Sequence, residues 1–540
     1  MNFNKYIVAA LIACGTLTSC SDFLNVDQVS TIDPSSFWSS PDDVIAYYYG
    51  CNDKFRDINN STYLEEDRGD SFIPGDIGPA SNAWSQYLDK ENTADMTSYY
   101  NAIFHFNQLY NEGSKVNFGS RDALKKQILG SALSMRAHTY FKLIKTWGDV
   151  PLVTDVYTGS NTPIIGKTPV NEVMTQILSD VDAAIGMYTE DAIGNKNFWS
   201  KAASYALKAD VLMYKAKVLG GGSTDLMEAI KCIDWIEAHA NVSLEENYAD
   251  IFSSSNKVNS EIVLSTYFDR YEQAYQYGRF TKPGYGNLAN THNYADMAST
   301  QGGRARAVYA PSLELEKTYD VNMNDTRRSV SILYPLVVQS TQKVNKTDYD
   351  NGTYTLDTPE NGLDMFGDER DVVRYEGDDN SIVVICTHWD SLTPISNKFR
   401  GTYYDDLQDR VFDDDVILYR WGGLLLLRAE AKAATNDIAG AVVDLDQVRQ
   451  RASTGAYSGA MDKDSVEKEI LAERFRELFL ELKRWPDLVR ANAWGTINIY
   501  DVIPNLKGKT TPILWPFSDD DLRDNDKLVQ NDGYSGISNS

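Results

Sequence analysis

The stretch that decides the fold is residues 470–490, ILAERFRELFLELKRWPDLVR. Its apolar residues recur every three or four positions, as they do along a helix that buries one face. Opposite charges lie one helical turn apart at Glu473–Arg476, Arg474–Glu477 and Glu481–Arg484, so we expect them to pair along the helix or to reach a neighbouring element. Pro486 cannot continue the same helix without losing a hydrogen bond, so we expect the chain to turn there. The stretch therefore predicts a helix that packs against other helices.

Similar periodicity on both sides of this stretch predicts further helices. We expect them at residues 44–55, 96–110, 123–147, 168–185, 201–219, 225–238, 424–434 and 438–451. The helix at 201–219 is rich in alanine, which allows a neighbouring helix to approach closely. Paired helices of this length are typical of stacked helical hairpins of the tetratricopeptide kind. The predicted fold class is therefore mostly α, with a scaffold of such hairpins.

The texture of the sequence changes between residues 243 and 415. Helical periodicity fades, Gly, Asn, Asp, Tyr and Thr dominate, and short β-like runs stand at 261–267 and 382–387. A loop-rich insertion of this length is usually functional, so we expect it to form a ligand face. The predicted regions are 20–242 and 416–540, both helical, with the insertion at 243–415 between them. The apolar tail at 512–517 should pack back on the helices.

The N-terminus has the features of a secretory signal. Lys5 is followed by a mostly apolar run at 6–17, which is too short to span a membrane as a helix. The run ends in Leu17-Thr18-Ser19-Cys20, which resembles a bacterial lipobox. We therefore expect residues 1–19 to be a lipoprotein signal peptide and Cys20 to carry the acyl chains of a membrane anchor. The alternative is an ordinary signal peptide that is cut near Ser19.

The charge and the aromatic content of the chain indicate which kinds of ligand it can bind. The formal net charge of −26 argues against nucleic acid and other polyanions, which need clusters of Lys and Arg. The 33 Tyr and 10 Trp exceed what a core can hide, so some should lie on a surface that uses them. Cys51, Cys232 and Cys386 match no metal or redox spacing, and buried free thiols are favoured over one disulfide plus a spare.

Motifs for catalysis or metal binding do not emerge. The five His residues lack ligand spacing, and no HExxH occurs. Gly220-Gly221-Gly222 follows a helix and is interpreted as its end. The run that starts at Asp320 begins like a calcium loop, but the sixth and twelfth places are Asp325 and Ser331 instead of Gly and Glu. The acidic residues 405–415 are interpreted as a solvated loop, with binding of a cation as the alternative. We expect no catalytic residue, no metal and no cofactor.

Five separated motifs carry a resemblance to a known family. They are MRAHTYFKLIKTWGDVPL (135–152), AASYALKADVLMY (202–214), YRWGGLLLLRAEA (419–431), the 470–490 stretch and LWPFSDDDLRDNDKLVQNDGY (514–534). In this order, and behind a lipobox, they resemble the SusD/RagB family of outer-membrane nutrient-binding lipoproteins. The chain departs from the family pattern at 480–483, which replace an FEGH-like run, and at Asn525-Asp526 and Asn531-Asp532, where Asn-Pro is usual.

The resemblance implies four tetratricopeptide-like helix pairs and a variable loop-rich ligand face. It also implies a lid on a SusC-like TonB-dependent transporter that catches oligosaccharides, or peptides in the RagB branch, without catalysis. We expect a cell-surface, lipid-anchored protein of the outer membrane whose glycan ligand is neutral, because the chain is acidic. The alternatives are a peptide-binding relative and a surface glycoside hydrolase.

Loop aromatics beside Asp, Asn or Arg are the candidate ligand-binding residues, because sugar rings stack on aromatic rings and sugar hydroxyls bond to such polar groups. The candidates are Trp84, Trp389, Arg400, Tyr403, Tyr404, Asp67, Asp70 and Tyr285. Trp147, Trp421, Trp485 and Trp515 lie in the motifs shared with the family and are interpreted as structural.

Overall fold

The structure is a computed structural model, and it describes most of the chain outside the N-terminus and parts of the insertion. The described residues are 37–74, 80–157, 163–272, 274, 309–320, 322, 324–333, 338–345, 347–348, 351, 353, 373–376, 381–387, 395–396, 398–399, 401–404, 406–407 and 409–534. None of the helices in this part of the chain is long and apolar enough to cross a membrane. The signal peptide and Cys20 lie outside the described residues.

The N-terminal region is a run of helices that pack in antiparallel succession. They are α1 (Pro41–Asn59), α2 (Asn82–Ser85), α3 (Thr97–Gly113), α4 (Asp122–Trp147), α5 (Val170–Met187), α6 (Lys201–Val218) and α7 (Ser223–His239). The pairs are α1 with α3, α4 with α5 and α6 with α7. Contacts of α3 with α4 and of α5 with α6 join the pairs into a stack, as the periodicity predicts.

Local chemistry starts these helices where the sequence predicts. Ser40 caps α1 by accepting a hydrogen bond from the Asp43 amide at 3.3 Å, and the Asp43 carboxylate accepts one from the Ser40 amide at 2.7 Å. Pro41 occupies the first turn, where its missing N–H costs nothing. Gly220 and Gly222 adopt positive φ between α6 and α7, which confirms that the glycine run ends a helix.

In the part of the insertion that the structure describes, short helices alternate with strands of small antiparallel sheets, some of which pair with strands outside the insertion. The helices are α8 (Leu313–Asp320) and α9 (Arg328–Ser331). The paired strands are β1 (Phe72–Pro74) with β3 (Tyr309–Pro311), β2 (Ile262–Thr266) with β11 (Val416–Arg420), β4 (Ile332–Leu333) with β8 (Ile395–Ser396), β9 (Thr402–Tyr404) with β10 (Asp409–Val411), and β7 (Ser381–Thr387) with both β5 (Val338–Asn345) and β6 (Val373–Glu376). The two predicted β-like runs are therefore strands β2 and β7.

The C-terminal region adds further helices that close onto the first ones. They are α10 (Trp421–Ala434), α11 (Ile438–Arg451), α12 (Lys463–Leu478), α13 (Arg484–Trp494), α14 (Ile499–Val502) and α15 (Asp519–Asp524). Helix α10 packs against α11, α12 and α7, and α13 packs against α6. One continuous hydrophobic core consequently runs from Val44 to Tyr534.

The 470–490 stretch is two helices, and the prediction of one helix that ends near Pro486 is wrong. Helix α12 ends at Leu478, and Leu480 and Leu482 adopt φ near +60° in the link to α13. Pro486 is the third residue of α13, and a backbone N–H in the first turn of a helix has no partner within that helix, so the missing N–H of proline costs no hydrogen bond. The chain therefore turns before the proline.

The charged side chains of helix α12 are mostly buried, and both predicted kinds of pairing occur, along the helix and with neighbouring elements. Glu473 and Arg476 pair at 2.6 Å as predicted. Arg474 instead binds Asp487, and Arg484 binds Asp70. Helix α12 is enclosed here on more than one face, so its charges find partners on other elements.

A buried ionic network links α12 to the insertion and to β11. Arg420 donates to Glu481 at 2.6 Å, to Glu477 at 2.6 Å and to Glu261 at 2.5 Å. Arg327 pairs with Glu477 at 2.9 Å, and all of these side chains are buried. Buried salt bridges require every charge to be matched, and each glutamate of the network has at least two cationic partners, with Lys398 as the second one for Glu481.

The tail packs back on the helices as predicted. The Trp515 amide donates to the Thr146 carbonyl at 2.8 Å, and the Trp147 indole N–H donates to the Pro516 carbonyl at 3.0 Å. Trp147, Trp421, Trp485 and Trp515 are all buried, which confirms their structural role. Cys51 and Cys232 are buried free thiols, and the Cys386 side chain lies outside the described residues.

Candidate ligand-binding site

An exposed group of aromatic and charged side chains lies where β2 leaves the core beside the β9–β10 hairpin. We call it the tyrosine patch and define it as Tyr267, Arg270, Tyr271, Tyr404 and Asp406. Tyr271 is 81% exposed and Tyr267 is 50% exposed, although tyrosine is usually at least half covered. These rings offer flat apolar faces to solvent, which is what a sugar ring needs for stacking.

Arg270 organises the tyrosine patch. Its guanidinium carbon lies 4.6 Å from the centre of the Tyr404 ring and 5.5 Å from that of Tyr271. The same group donates to Asp406 at 2.6 Å, so its charge is compensated. The patch therefore combines two ring faces with a donor and an acceptor for hydroxyl groups.

Three consecutive buried aspartates, Asp413, Asp414 and Asp415, accept hydrogen bonds from the tyrosine patch or from the backbone next to it. Asp413 accepts from the Tyr404 hydroxyl at 2.9 Å, and Asp414 accepts from the Gly401 amide at 2.6 Å. Asp415 accepts from the Phe268 amide at 3.1 Å and pairs with Lys257 at 3.3 Å. The prediction of a solvated acidic loop is wrong for these three residues, because each carboxylate anchors a segment of the patch.

The same burial changes the proton affinities of this site. Desolvation raises the pKa of Asp414 to about 7, with a smaller contribution from the neighbouring carboxylates. It also raises the pKa of Asp415, although Lys257 opposes the change. The pKa of Tyr404 is raised by desolvation and by its bond to Asp413. The Tyr404 hydroxyl therefore keeps the proton that it donates to Asp413, and its oxygen can still accept a hydrogen bond.

Gly401 is required by the close approach of the hairpin strands. Its φ is +62°, and a Cβ at this position would lie 2.1 Å from the Val411 carbonyl oxygen. Any larger residue would push β9 away from β10 and would break the amide bond to Asp414.

The candidate residues predicted from the sequence fall in different places. Tyr404 belongs to the tyrosine patch. Trp84 is half-buried in α2 beside β1, and its indole N–H donates to the Phe72 carbonyl at 2.9 Å. Only part of the Trp84 ring face is left for a ligand, and among the described residues no hydrogen bond, ion pair or ring contact joins Trp84 to Tyr404.

Asp67 and Asp70 are interior residues, so the prediction that they bind a ligand is wrong. Asp67 is fully buried and accepts hydrogen bonds from the Thr62 and Ser81 hydroxyls, each at 2.8 Å. Asp70 accepts two hydrogen bonds from Arg484, at 2.6 and 2.7 Å. Both carboxylates hold the loop after α1 against the helices.

The other candidates cannot be placed, and three patch residues were not predicted. Trp389, Arg400 and Tyr285 lie outside the described residues, as does the side chain of Tyr403, although its backbone belongs to β9. The sequence analysis missed Tyr267, Arg270 and Tyr271. The signal that could have found them is the end of the predicted strand at 261–267, where two tyrosines flank an arginine.

The arrangement is suited to binding. Among the side chains that the structure describes, no three of the His, Cys, Asp or Glu type converge to hold a metal ion. The ring faces, the Arg270–Asp406 pair and the Tyr404 hydroxyl provide stacking and hydrogen bonds.

Comparison with known proteins relates the whole chain to one family. Residues 250–534 match the sequence profile of the SusD family, and residues 22–213 match a profile described as starch-binding associating with outer membrane. A SusD-like protein of Formosa agariphila is 25% identical, and the alignment covers 97% of each chain. A SusD-like protein of Bacteroides ovatus is 25% identical over 214 residues, which are 36% of this chain and 38% of that one.

Solved structures share the fold. NanU of B. fragilis has a TM-score of 0.72 and 25% identity, with 94% of this chain and 100% of that one covered. A laminarin-binding SusD-like protein has a TM-score of 0.68 at 18% identity, covering 92% and 100% of the two chains. The surface glycan-binding protein A of Bacteroides uniformis has a TM-score of 0.66 at 16% identity, covering 91% and 99%. The likeness confirms the predicted fold class, a mostly α scaffold of tetratricopeptide-like hairpins.

Proposed function

The chain belongs to the SusD family, and on that premise we propose that it captures an oligosaccharide at the outer membrane and delivers it to a SusC-like TonB-dependent transporter. The observation that carries the proposal is the tyrosine patch, because a soluble domain has no structural need for a tyrosine that is 81% exposed beside a paired arginine. Relatives that are named for binding laminarin and surface glycans support the same ligand class.

The chemistry of the patch suits a neutral sugar. Ring faces of Tyr267 and Tyr271 stack on pyranose rings, while the Arg270 guanidinium and the Asp406 carboxylate bond to hydroxyl groups. Because Asp406 already compensates Arg270, the patch offers no excess positive charge to a sulfated or uronate-rich glycan. The net charge of −26 acts in the same direction.

Calorimetry with malto-oligosaccharides and laminari-oligosaccharides tests the ligand class. We expect binding that Tyr271→Ala weakens about tenfold, which corresponds to about 1.4 kcal/mol. Tyr49→Ala is the matched control, because Tyr49 is 55% exposed but its ring contacts Phe198 outside the patch. Peptide binding without any glycan binding would favour the RagB-like alternative. Glycan turnover that is lost on substitution of a single Asp or Glu would favour a glycoside hydrolase.

The remaining candidates stay part of the proposal. Trp84 would supply a further ring, separate from those of the tyrosine patch. Trp389, Arg400, Tyr403 and Tyr285 would extend the site from the insertion. Alanine substitutions of Trp389 and Tyr285 in the same calorimetric series test them, with fold checked by the thermal melt. Unchanged affinity in each variant would restrict the site to the tyrosine patch.

We also propose that Cys20 is acylated and holds the protein on the outer face of the outer membrane. Mass spectrometry of the mature N-terminus tests this, with Cys20→Ala as the unlipidated control. Accessibility of intact cells to added protease tests the outward orientation. Delivery predicts that the tagged protein, purified from its own membranes, brings a TonB-dependent transporter with it. A chain that leaves the membrane without that transporter would contradict the delivery step.

A further inference from the structure

A second concave surface lies far along the chain from the tyrosine patch, between the start of α3 and the tail around α15. We call it the α3–α15 groove. It has a volume of about 400 Å³, which falls in the range of ligand and anchor-residue pockets. Apolar side chains dominate its lining, among them Met96, Tyr100, Val153, Ile165 and Leu528. No step of the proposed function uses this groove.

The walls of the groove are fixed by hydrogen bonds within the protein. The Tyr100 hydroxyl donates to the Pro151 carbonyl at 2.6 Å. The Asn525 amide group donates to the Ile165 carbonyl at 2.8 Å, and the Lys527 ammonium donates to the Ile164 carbonyl at 2.7 Å. The groove is therefore formed before any partner arrives, and a partner would not need to open it.

Apolar side chains at the rim of the groove are exposed to solvent in the isolated chain. Ile164 is 46% exposed and Tyr157 is 36% exposed, and both line the groove. Val529, which follows the lining residue Leu528, is 69% exposed. Apolar residues that cluster at the edge of a preformed cavity are typical of a protein-binding surface, whereas isolated ones carry no such meaning.

The charge around the groove is negative. Exposed carboxylates next to the lining residues are Asp95, Asp155, Asp520, Asp524 and Asp526. Two cations stand against these five carboxylates: Arg523, which pairs with Asp520 at 2.7 Å and with Asp524 at 3.5 Å, and Lys527, whose ammonium bonds to the neutral Ile164 carbonyl. The surroundings therefore favour a partner that brings positive charge.

We propose that the α3–α15 groove docks a partner polypeptide through one large apolar or aromatic side chain that is flanked by Lys or Arg. The apolar side chain fills the cavity, and the flanking cations meet the aspartates of the rim. A second copy of this chain is a poor occupant, because both copies carry a net charge of −26. An anionic lipid surface is repelled for the same reason.

Calorimetry of the full mature chain with three synthetic peptides tests the proposal. The probe is acetyl-Gly-Lys-Trp-Lys-Gly-amide, and its controls replace Trp by Ala or both Lys by Glu. We expect only the probe to bind, with an affinity that falls when salt is raised from about 0.05 M to about 0.5 M because surface charges are screened. A probe that shows no binding at millimolar concentration overturns the proposal.

Two substitutions locate the binding. Ile164→Ser removes part of the apolar rim and Asp524→Asn removes one charge, and we expect affinities about fivefold and about threefold lower. Val443→Ser and Glu190→Gln are the matched controls, because they change an exposed apolar residue and an exposed carboxylate elsewhere. Equal affinity in all four variants places the peptide outside the groove and overturns the proposal.

Two other occupants have distinct outcomes. A dimer in sedimentation analysis that Ile164→Ser abolishes would make the groove a contact between copies. Probe binding that appears only after deletion of residues 21–36 would mean that the chain covers its own groove. Either result overturns docking of a separate partner. Neither bears on the glycan proposal, which the Tyr271→Ala measurement tests separately.

Discussion

Arg420 pairs with three buried carboxylates, which belong to different parts of the chain. It ties Glu261 of the insertion to Glu477 and Glu481 of the C-terminal region, and it also donates to the Glu477 carbonyl at 2.7 Å. The three carboxylates have other cations nearby, but none that bonds to all of them. Loss of this guanidinium would therefore leave negative charge uncompensated in the core.

We expect Arg420→Met to lower the free energy of unfolding by about 3–5 kcal/mol, because breaking a buried ion pair leaves a buried charge unpaired. Urea unfolding followed by circular dichroism measures the change. Arg523→Met is the control, since Arg523 is 64% exposed and its loss should leave the midpoint unchanged. Equal stability of wild type and Arg420→Met would show that the glutamates are protonated or solvated.

Asp414 makes stability depend on pH. Its pKa is about 7 in the folded chain and about 3.9 in an unfolded one. At a pH between these two pKa values, Asp414 is protonated in the folded chain and ionised in the unfolded chain. The free energy of unfolding therefore falls as pH rises from about 4 to about 7 and is level above that range.

We expect Asp414→Asn to remove about 2–4 kcal/mol of this pH dependence, because the neutral amide has no proton to lose. Urea titrations at pH 5 and pH 8 compare the variant with wild type, and Glu190→Gln serves as an exposed control. A variant whose stability changes with pH as steeply as that of wild type would exclude Asp414 as the source.

Single residues were predictable from the sequence only where local composition reflects exposure. Tyr404 was found because it lies in a polar, aromatic loop. Asp67 and Asp70 lie in a stretch of the same composition, yet Ser81 and Arg484 reach them from distant parts of the chain. The residues next to Asp67 and Asp70 in the sequence do not indicate which distant residues will bond to them. The sequence therefore could not distinguish these buried carboxylates from exposed ones.

Helices were predicted well where caps and turns mark their ends. Helix α11 begins and ends where the sequence predicts, because Asn436 takes positive φ and Asp437 caps the helix through the Gly440 amide. The break between α12 and α13 was missed because apolar residues continue through it at helical spacing. Leu480 and Leu482 adopt a left-handed conformation there, which sequence propensity disfavours and which tertiary packing imposes.

The position of Pro486 in the first turn of α13 leads to a prediction. Pro486→Ala should lower the free energy of unfolding by only about 1 kcal/mol, since no helical hydrogen bond is at stake. Lys468→Pro, at an exposed site inside α12, should cost about 3 kcal/mol or more. Thermal melts of both variants measure the difference. Equal losses would mean that α12 and α13 form one continuous helix in solution.

The chain folds as one unit because its last segment completes its first helices. The tail meets α4 through Trp515 and Trp147, and Arg68 donates to the Pro512 and Ile513 carbonyls at 2.8 and 2.6 Å. The sequence predicted that the apolar tail packs back on the helices, but it did not predict that the tail meets α4 and Arg68, because these contacts are long-range. The relative placement of the insertion's small sheets was not predictable, because their pairing is long-range.

We expect Trp515→Ala to lower the free energy of unfolding by about 3–5 kcal/mol and to keep a single transition. The fully buried indole fills space between the two halves of the chain, so both lose support together. Far-ultraviolet circular dichroism and tryptophan fluorescence should report the same midpoint. Two separated midpoints would show that the halves unfold independently.

The return of the tail to α4 also constrains biosynthesis. The ribosome makes Trp147 several hundred residues before it makes Trp515 and Asn531. In the folded chain, the Asn531 side chain donates to the Trp147 carbonyl, and the Trp515 amide donates to the carbonyl of the neighbouring Thr146. When the first helical hairpins leave the exit tunnel of the ribosome, the apolar surface around Trp147 is therefore exposed, because the tail that covers it has not yet been synthesised. The core around Trp147 can therefore be completed only after the whole polypeptide has been released from the ribosome.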